Sequence, residues 1–218
     1  MSQNAHASTP SIKRLLILAS GSGSNFEAIA KAIIDQQMPL RITALLCDRA
    51  GAKVFERSSR LGVPAKLIDA KTFSDRASFD RALLQAVLDE NPDVIALAGF
   101  MKILSKEMIA AFPHRIVNIH PSLLPAFPGL HAIQKAFAAK VPETGVTVHF
   151  VDDGMDTGPI IAQRKVAISA DDTEESLEKK VHSVEHALYP EVLSWIANDR
   201  VEVRGNRVFV KEQDRVRS

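Results

Sequence analysis

Cysteine is nearly absent: the 218 residues hold one, Cys47. It has no partner for an internal disulfide, which excludes a disulfide scaffold and suits a reducing cytosol. Within the apolar run Ile42 to Cys47 it reads as a small buried hydrophobe. Charge of either sign is not in excess, since 27 Lys and Arg against 26 Asp and Glu give a net charge of +1. No lysine- or arginine-rich run stands out, so the cationic footprint of a nucleic-acid binder is missing. No apolar run approaches the roughly 18 residues that a membrane helix needs. Met1 to Pro10 have neither a basic start nor an apolar core, so they are not a secretory signal. Residues 1–11 read as a disordered N-terminal extension. The expectation is a soluble, cytoplasmic protein with no nucleic acid and no membrane among its partners.

With 46% apolar residues, a chain of this length can bury one good core, so residues 12–218 are expected to form a single domain. There is no internal repeat. Apolar runs at Leu15 to Ala19, Ile42 to Cys47, Ala65 to Ile68 and Val94 to Ala98 alternate with helix-length segments at about Asn25 to Gln37, Lys53 to Leu61 and Asp75 to Asp89. Near-continuous apolar runs suit parallel strands covered on both faces. This βαβα order predicts an α/β fold with an open, doubly wound, mostly parallel Rossmann-like sheet. Val146 to Val151 alternates as a strand with Thr147 and His149 on one face, and Pro159 to Ile168 is its expected partner. A long C-terminal helix follows, capped near Asp172 or Thr173 with Glu175 close behind. Pro190 is expected to bend or end it, and Val201 to Val210 to form a hairpin turning at Gly205-Asn206.

Arg115-Ile116-Val117-Asn118-Ile119-His120 reads as a strand closed by Pro121, which cannot continue a central ladder. Alternation puts Asn118 and His120 on one face, Val117 and Ile119 on the other. A neutral donor beside a titratable ring is useful where an oxyanion forms and protons move. Asp156, in Asp156-Thr157-Gly158-Pro159, offers a carboxylate to complete an acyl-transfer set, although the same residues are good turn chemistry.

Gly21-Ser22-Gly23-Ser24-Asn25 lies between the first strand and the first helix, where glycines and free N–H groups can bind a phosphate. No Gly-Lys-Ser/Thr follows, which excludes a Walker A loop, and Phe26 stands where a dinucleotide fingerprint has its third glycine. Asp48 could mimic a ribose-binding acid, which keeps a nicotinamide reading open. Phe100 to Leu104 follow the strand ending at Ala98-Gly99 and would either hold a flat ligand or pack the next helix. His182-Ser183-Val184-Glu185-His186 matches an inverted zinc motif, but two ligands do not make a site.

Taken together, Ala19 to Asn25, Ala98-Gly99-Phe100-Met101, Asn118-Ile119-His120-Pro121-Ser122-Leu123-Leu124-Pro125 and Asp156 to Pro159 resemble the phosphoribosylglycinamide formyltransferase family. These are the folate-dependent glycinamide ribonucleotide transformylases of purine synthesis. The resemblance runs from about Lys13 to Trp195. It implies a formyltransferase domain that passes the formyl group of 10-formyltetrahydrofolate, a cosubstrate, to the amine of glycinamide ribonucleotide. Asn118, His120 and Asp156 would be the catalytic trio, with Thr147 and His149 in support. Gly23, Ser24 and Asn25 would hold the phosphate, Arg115 would help, and Glu185 would meet the glycinamide part. Phe100, Met101, Lys102, Ile103, Leu104 and Asp153 would line the pteridine pocket, and Arg76 would meet the folate tail. No metal is implied, and the working form would be a monomer or homodimer. Ala126, Thr157 and Ile133 depart from residues common in the family, which touches loop detail rather than the trio. The alternatives are a formyltetrahydrofolate hydrolase, a methionyl-tRNA formyltransferase, whose extra domain and basic surface do not fit this chain, and a non-catalytic nucleotide-binding module.

Overall fold

The structure, a computed structural model, describes residues 11–212. The extension expected over residues 1–11 therefore lies, except for Ser11, outside the described residues. Strands β1 (Lys13–Ala19), β2 (Leu40–Cys47), β3 (Ala65–Leu67), β4 (Val94–Leu97) and β5 (Ile116–His120) pair in parallel. Two antiparallel strands, β6 (Glu143–Phe150) and β7 (Ile160–Ala167), extend the sheet to the order β3-β2-β1-β4-β5-β6-β7. The connecting helices are α1 (Ser24–Asp35), α2 (Val54–Arg60), α3 (Arg76–Glu90), α4 (Lys106–Ala111), α5 (Ala132–Ala138) and α6 (Glu174–Ala197).

Both faces of the sheet are covered, which is why its parallel strands are apolar without alternation. On one face Leu15, Ile17 and Ala19 of β1 pack with Phe26 and Ile29 of α1 and Leu177, Val181 and Leu188 of α6. On the other, Leu16 and Leu18 pack with Phe79 and Leu83 of α3 and Met108 of α4. Burying each such Leu or Ile side chain contributes about 1.5–3 kcal/mol. Chain order reverses between β1 and β4, and in sheets of this kind ligands sit outside the carboxyl ends of the strands at that point. There the chain places the segments after β1, β4 and β5 side by side.

Helix α6 departs from expectation. Thr173 is its cap, accepting from the Ser176 N–H at 3.1 Å while Ser176 Oγ accepts from the Thr173 N–H at 3.0 Å; Ser176 closes the box, not Glu175. Pro190 neither ends nor interrupts the helix, which continues to Ala197. The missing N–H is outweighed by burial of Tyr189, Pro190, Val192 and Leu193. Tyr189 Oη shares its hydrogen between Val117 O at 2.9 Å and Leu97 O at 3.2 Å, fixing the helix to β4 and β5. Helix α4 is the one expected after Phe100 to Leu104, whereas the seven-residue α5 carries no sequence pattern that points to it. Beyond α6, β8 (Val201–Arg204) and β9 (Arg207–Val210) form the expected hairpin about Gly205-Asn206.

Candidate active site

Asn118 and His120 emerge on the same face at the end of β5 and meet β6 in antiparallel register, Asn118 opposite His149 and His120 opposite Thr147. His149 is buried, and its Nδ1 donates to Phe150 O at 2.8 Å. Burial holds this ring below the ordinary histidine range, so Nε2 keeps its lone pair at neutral pH. That lone pair accepts from Asn118 Nδ2 at 3.2 Å, which fixes the amide with its second hydrogen free. His120 is buried too, and its Nε2 donates to Phe127 O at 2.9 Å. Nδ1 of His120 therefore faces the carboxylate of Asp156, 3.4 Å from Oδ2. Asp156 Oδ1 lies 3.7 Å from His149 Nε2, and Oδ2 also accepts from the Gly129 N–H at 2.8 Å. Asp156 has φ 57°, a left-handed conformation that an aspartate tolerates and that bends the loop back toward β5.

The loop after β5 is held by groups on the neighbouring strands. Thr147 Oγ1 donates to Ser122 O at 2.6 Å and accepts from the Leu124 N–H at 3.0 Å. Gln163 of β7 donates to Leu124 O and to Thr147 Oγ1, both at 2.9 Å. Ser122 Oγ closes the turn on Ala126 O at 2.5 Å. Gln163, Ser122 and the Phe127 carbonyl escaped the sequence reading because their roles come from cross-strand register. Only the alternation of β7, which sets Gln163 opposite Thr147, could have pointed to the first.

At the end of β1, Gly23 has φ 76°, and a Cβ there would sit 2.4 Å from Val54 Cγ2. Conformation and space both demand glycine. Asn25 lies in the first turn of α1, so its main-chain N–H has no intrahelical partner. Its Nδ2 donates to Glu185 Oε2 at 3.2 Å, and its Oδ1 is buried without a partner among the described residues. Glu185 is buried as well and accepts from His182 Nδ1 at 2.8 Å, a hydrogen bond that raises the His182 pKa. Asn25 and Glu185, 160 residues apart, thus form one unit beside the glycine loop.

After β4, Met101 and Ile103 are exposed, and the Met101 N–H donates to Ser20 Oγ at 2.9 Å, joining this segment to the glycine loop. Arg76 donates to Ile103 O and pairs with Asp80, which places it beside the segment after β4. The Leu104 side chain packs into the core with Met108 and Phe112, which leaves its main-chain groups at the end of the exposed segment. Phe100 is half-buried against the same core, while Lys102 and Asp153 are exposed on their loops. Exposed apolar side chains flanked by main-chain groups fit a flat, hydrogen-bonding ring system. Arg115 is not brought to the site. It lies at the opposite end of β5, donates to Pro92 O and Asp93 O, and stacks over Phe112 at 5.1 Å. His182 and His186 stack, but His182 is engaged with Glu185, and among the described residues no cluster of three or more His, Cys, Asp or Glu could hold a metal ion.

A family model described as "Formyl transferase" matches residues 13–193. A Bacillus subtilis (strain 168) protein named phosphoribosylglycinamide formyltransferase is 42% identical over 182 residues, 84% of this chain and 93% of that protein. Its namesake from Escherichia coli (strain K12) is 38% identical over 199 residues, 91% of this chain and 94% of that protein. Among solved structures, glycinamide ribonucleotide transformylase 1 from Symbiobacterium toebii aligns with a TM-score of 0.89 at 41% identity. That alignment covers 92% of this chain and 95% of the other.

Proposed function

The chain belongs to the formyl transferase family, and from that membership we propose that Asn118, His120 and Asp156 transfer a formyl group to glycinamide ribonucleotide. The reaction is the formylation of that amine in purine synthesis, and 10-formyltetrahydrofolate supplies the formyl group. The observation that carries the assignment of roles is the joined set Asn118, His149, Asp156 and His120 at the sheet's carboxyl edge.

The free Asn118 Nδ2 hydrogen is directed at the oxygen that gains negative charge as the substrate amine adds to the formyl carbon. His149 keeps that amide aimed. His120 Nδ1 and Asp156 Oδ2 face each other at 3.4 Å, a gap that a small shift on substrate binding or one water bridges for a proton to pass. Asp156 takes the proton that the attacking amine loses, directly or through water. His120 delivers one to the departing nitrogen, so the site ends with as many protons as it began. Gly23, Ser24 and Asn25 hold the ribose phosphate at the start of α1, and Glu185, bonded to the Asn25 side chain, meets the glycinamide part beside it. Phe100 to Leu104, Asp153 and Arg76 serve the folate. In this reading the protein is a cytoplasmic enzyme of small molecules, a monomer or homodimer with no nucleic-acid or membrane partner. Incubation with both substrates, followed by mass detection of formylated glycinamide ribonucleotide, tests it; no product at any enzyme concentration would refute it.

A further inference from the structure

We infer that Arg57, on α2, is a positioning residue for the phosphate loop: its guanidinium holds the Ser22–Gly23 peptide so that the loop's N–H groups face the substrate phosphate. The inference rests on the proposed role of Gly23 and Ser24 as phosphate holders.

Arg57 Nε donates to Ser22 O at 2.8 Å, and its Nη1 pairs with Glu27 Oε2 on α1. At the start of α2, the Val54 N–H donates to Gly21 O at 3.2 Å. Two consecutive loop carbonyls therefore turn toward α2. A planar trans peptide sets its N–H opposite its C=O. The N–H groups of Ser22 and Gly23 thus point away from α2, and neither meets a protein acceptor among the described residues. Successive main-chain N–H groups so directed, running into a helix N-terminus, form a concavity that favours an anion. Gly23 seats this turn directly on Val54, so α2 is the floor of the loop.

The charge around that floor points the same way. Glu27 accepts from Lys31 at 2.9 Å and Arg60 at 2.7 Å as well as from Arg57, so three cations face one carboxylate. The excess positive charge lies behind the loop, where it favours a phosphate monoester over a neutral sugar terminus. The planar guanidinium serves the Ser22 carbonyl through Nε and the Glu27 carboxylate through Nη1 in one pre-organised geometry, which a flexible lysine ammonium does not reproduce.

Arg57→Met and Arg57→Lys are to be compared with the unmodified protein using glycinamide ribonucleotide, its analogue lacking the 5-phosphate, and inorganic phosphate as a competitor. In Arg57→Met the KM for the ribonucleotide should rise about tenfold or more with kcat changed by less than about twofold. Inhibition by inorganic phosphate should weaken in parallel, Arg57→Lys should recover only part of the loss, and turnover of the dephosphorylated analogue should be unaffected. Unchanged KM and phosphate inhibition, or equal losses on both substrates, would overturn the inference. Should Arg57→Met fail to fold, Arg57→Lys carries the same comparison. Should the unmodified protein form no formylated product, the functional reading fails by itself. The shift in Tm on adding inorganic phosphate then decides Arg57: a shift lost in the variants supports the role, and one retained in full refutes it.

Discussion

Asn118 has two amide hydrogens, and among the described residues only one of them is committed, to His149. A single oxyanion donor is typically worth a hundred- to a thousand-fold in rate. Asn118→Ala should therefore lose about 10²–10³ in kcat with little change in Tm, and a variant with near-normal kcat would remove this amide from the reaction. The neighbouring ring gives a second prediction. Burial holds folded His149 below its ordinary value of 6.5, so on acidification the unfolded chain takes this proton first. The stability linked to this ring is complete above pH 6.5 and is lost as pH falls through the lowered folded value. Tm should drop below that pH, and His149→Gln should flatten part of the drop; an identical pH slope in the variant would clear the ring of responsibility. At this scale the shared face of Asn118 and His120 was legible because alternation carries it, and the meeting of His120 with Asp156 was expected from the resemblance. Arg115 was misplaced because two residues near in sequence can stand at opposite ends of one strand.

Helix α6 shows what an element adds to its residues. Its first turn is closed by the Thr173–Ser176 box and by Lys180, whose pairing with Asp172, together with hydrogen bonds from Ser176 and the Ser169 N–H, lowers that carboxyl to a pKa of about 2. Removing the cap by Thr173→Ala should cost about 1 kcal/mol in denaturant unfolding, without affecting KM for either substrate. Farther along, Tyr189→Phe should cost about 1–2 kcal/mol, because the buried hydroxyl bridges two strand carbonyls. A neutral outcome would mean that the helix is held on the sheet by apolar packing alone. The apolar stripe of Leu177, Val181 and Leu188 made this helix readable from its spacing. Its passage through Pro190 was not, because that depends on burial supplied by other elements.

Across the whole molecule, seven strands in one sheet bring segments from Gly21, Gly99, His120, Asp156 and Glu185 to one carboxyl edge. The parallel half was foreseeable from uninterrupted apolar runs, and the antiparallel half from the alternation around Thr147 and His149. Which loops touch was not foreseeable, since contacts such as Asn25 with Glu185 and Met101 with Ser20 arise only when the sheet has closed its order. In the proposed reading the glycine loop holds the phosphate on one side of Asn118, His120 and Asp156 and the exposed segment after β4 takes the folate on the other, so turnover should require both reactants. The most direct test follows tetrahydrofolate release from 10-formyltetrahydrofolate with and without glycinamide ribonucleotide. Release that occurs only with the ribonucleotide, matched mole for mole by formylated product, is expected. Equal release in its absence would contradict the transferase and make the site a hydrolase.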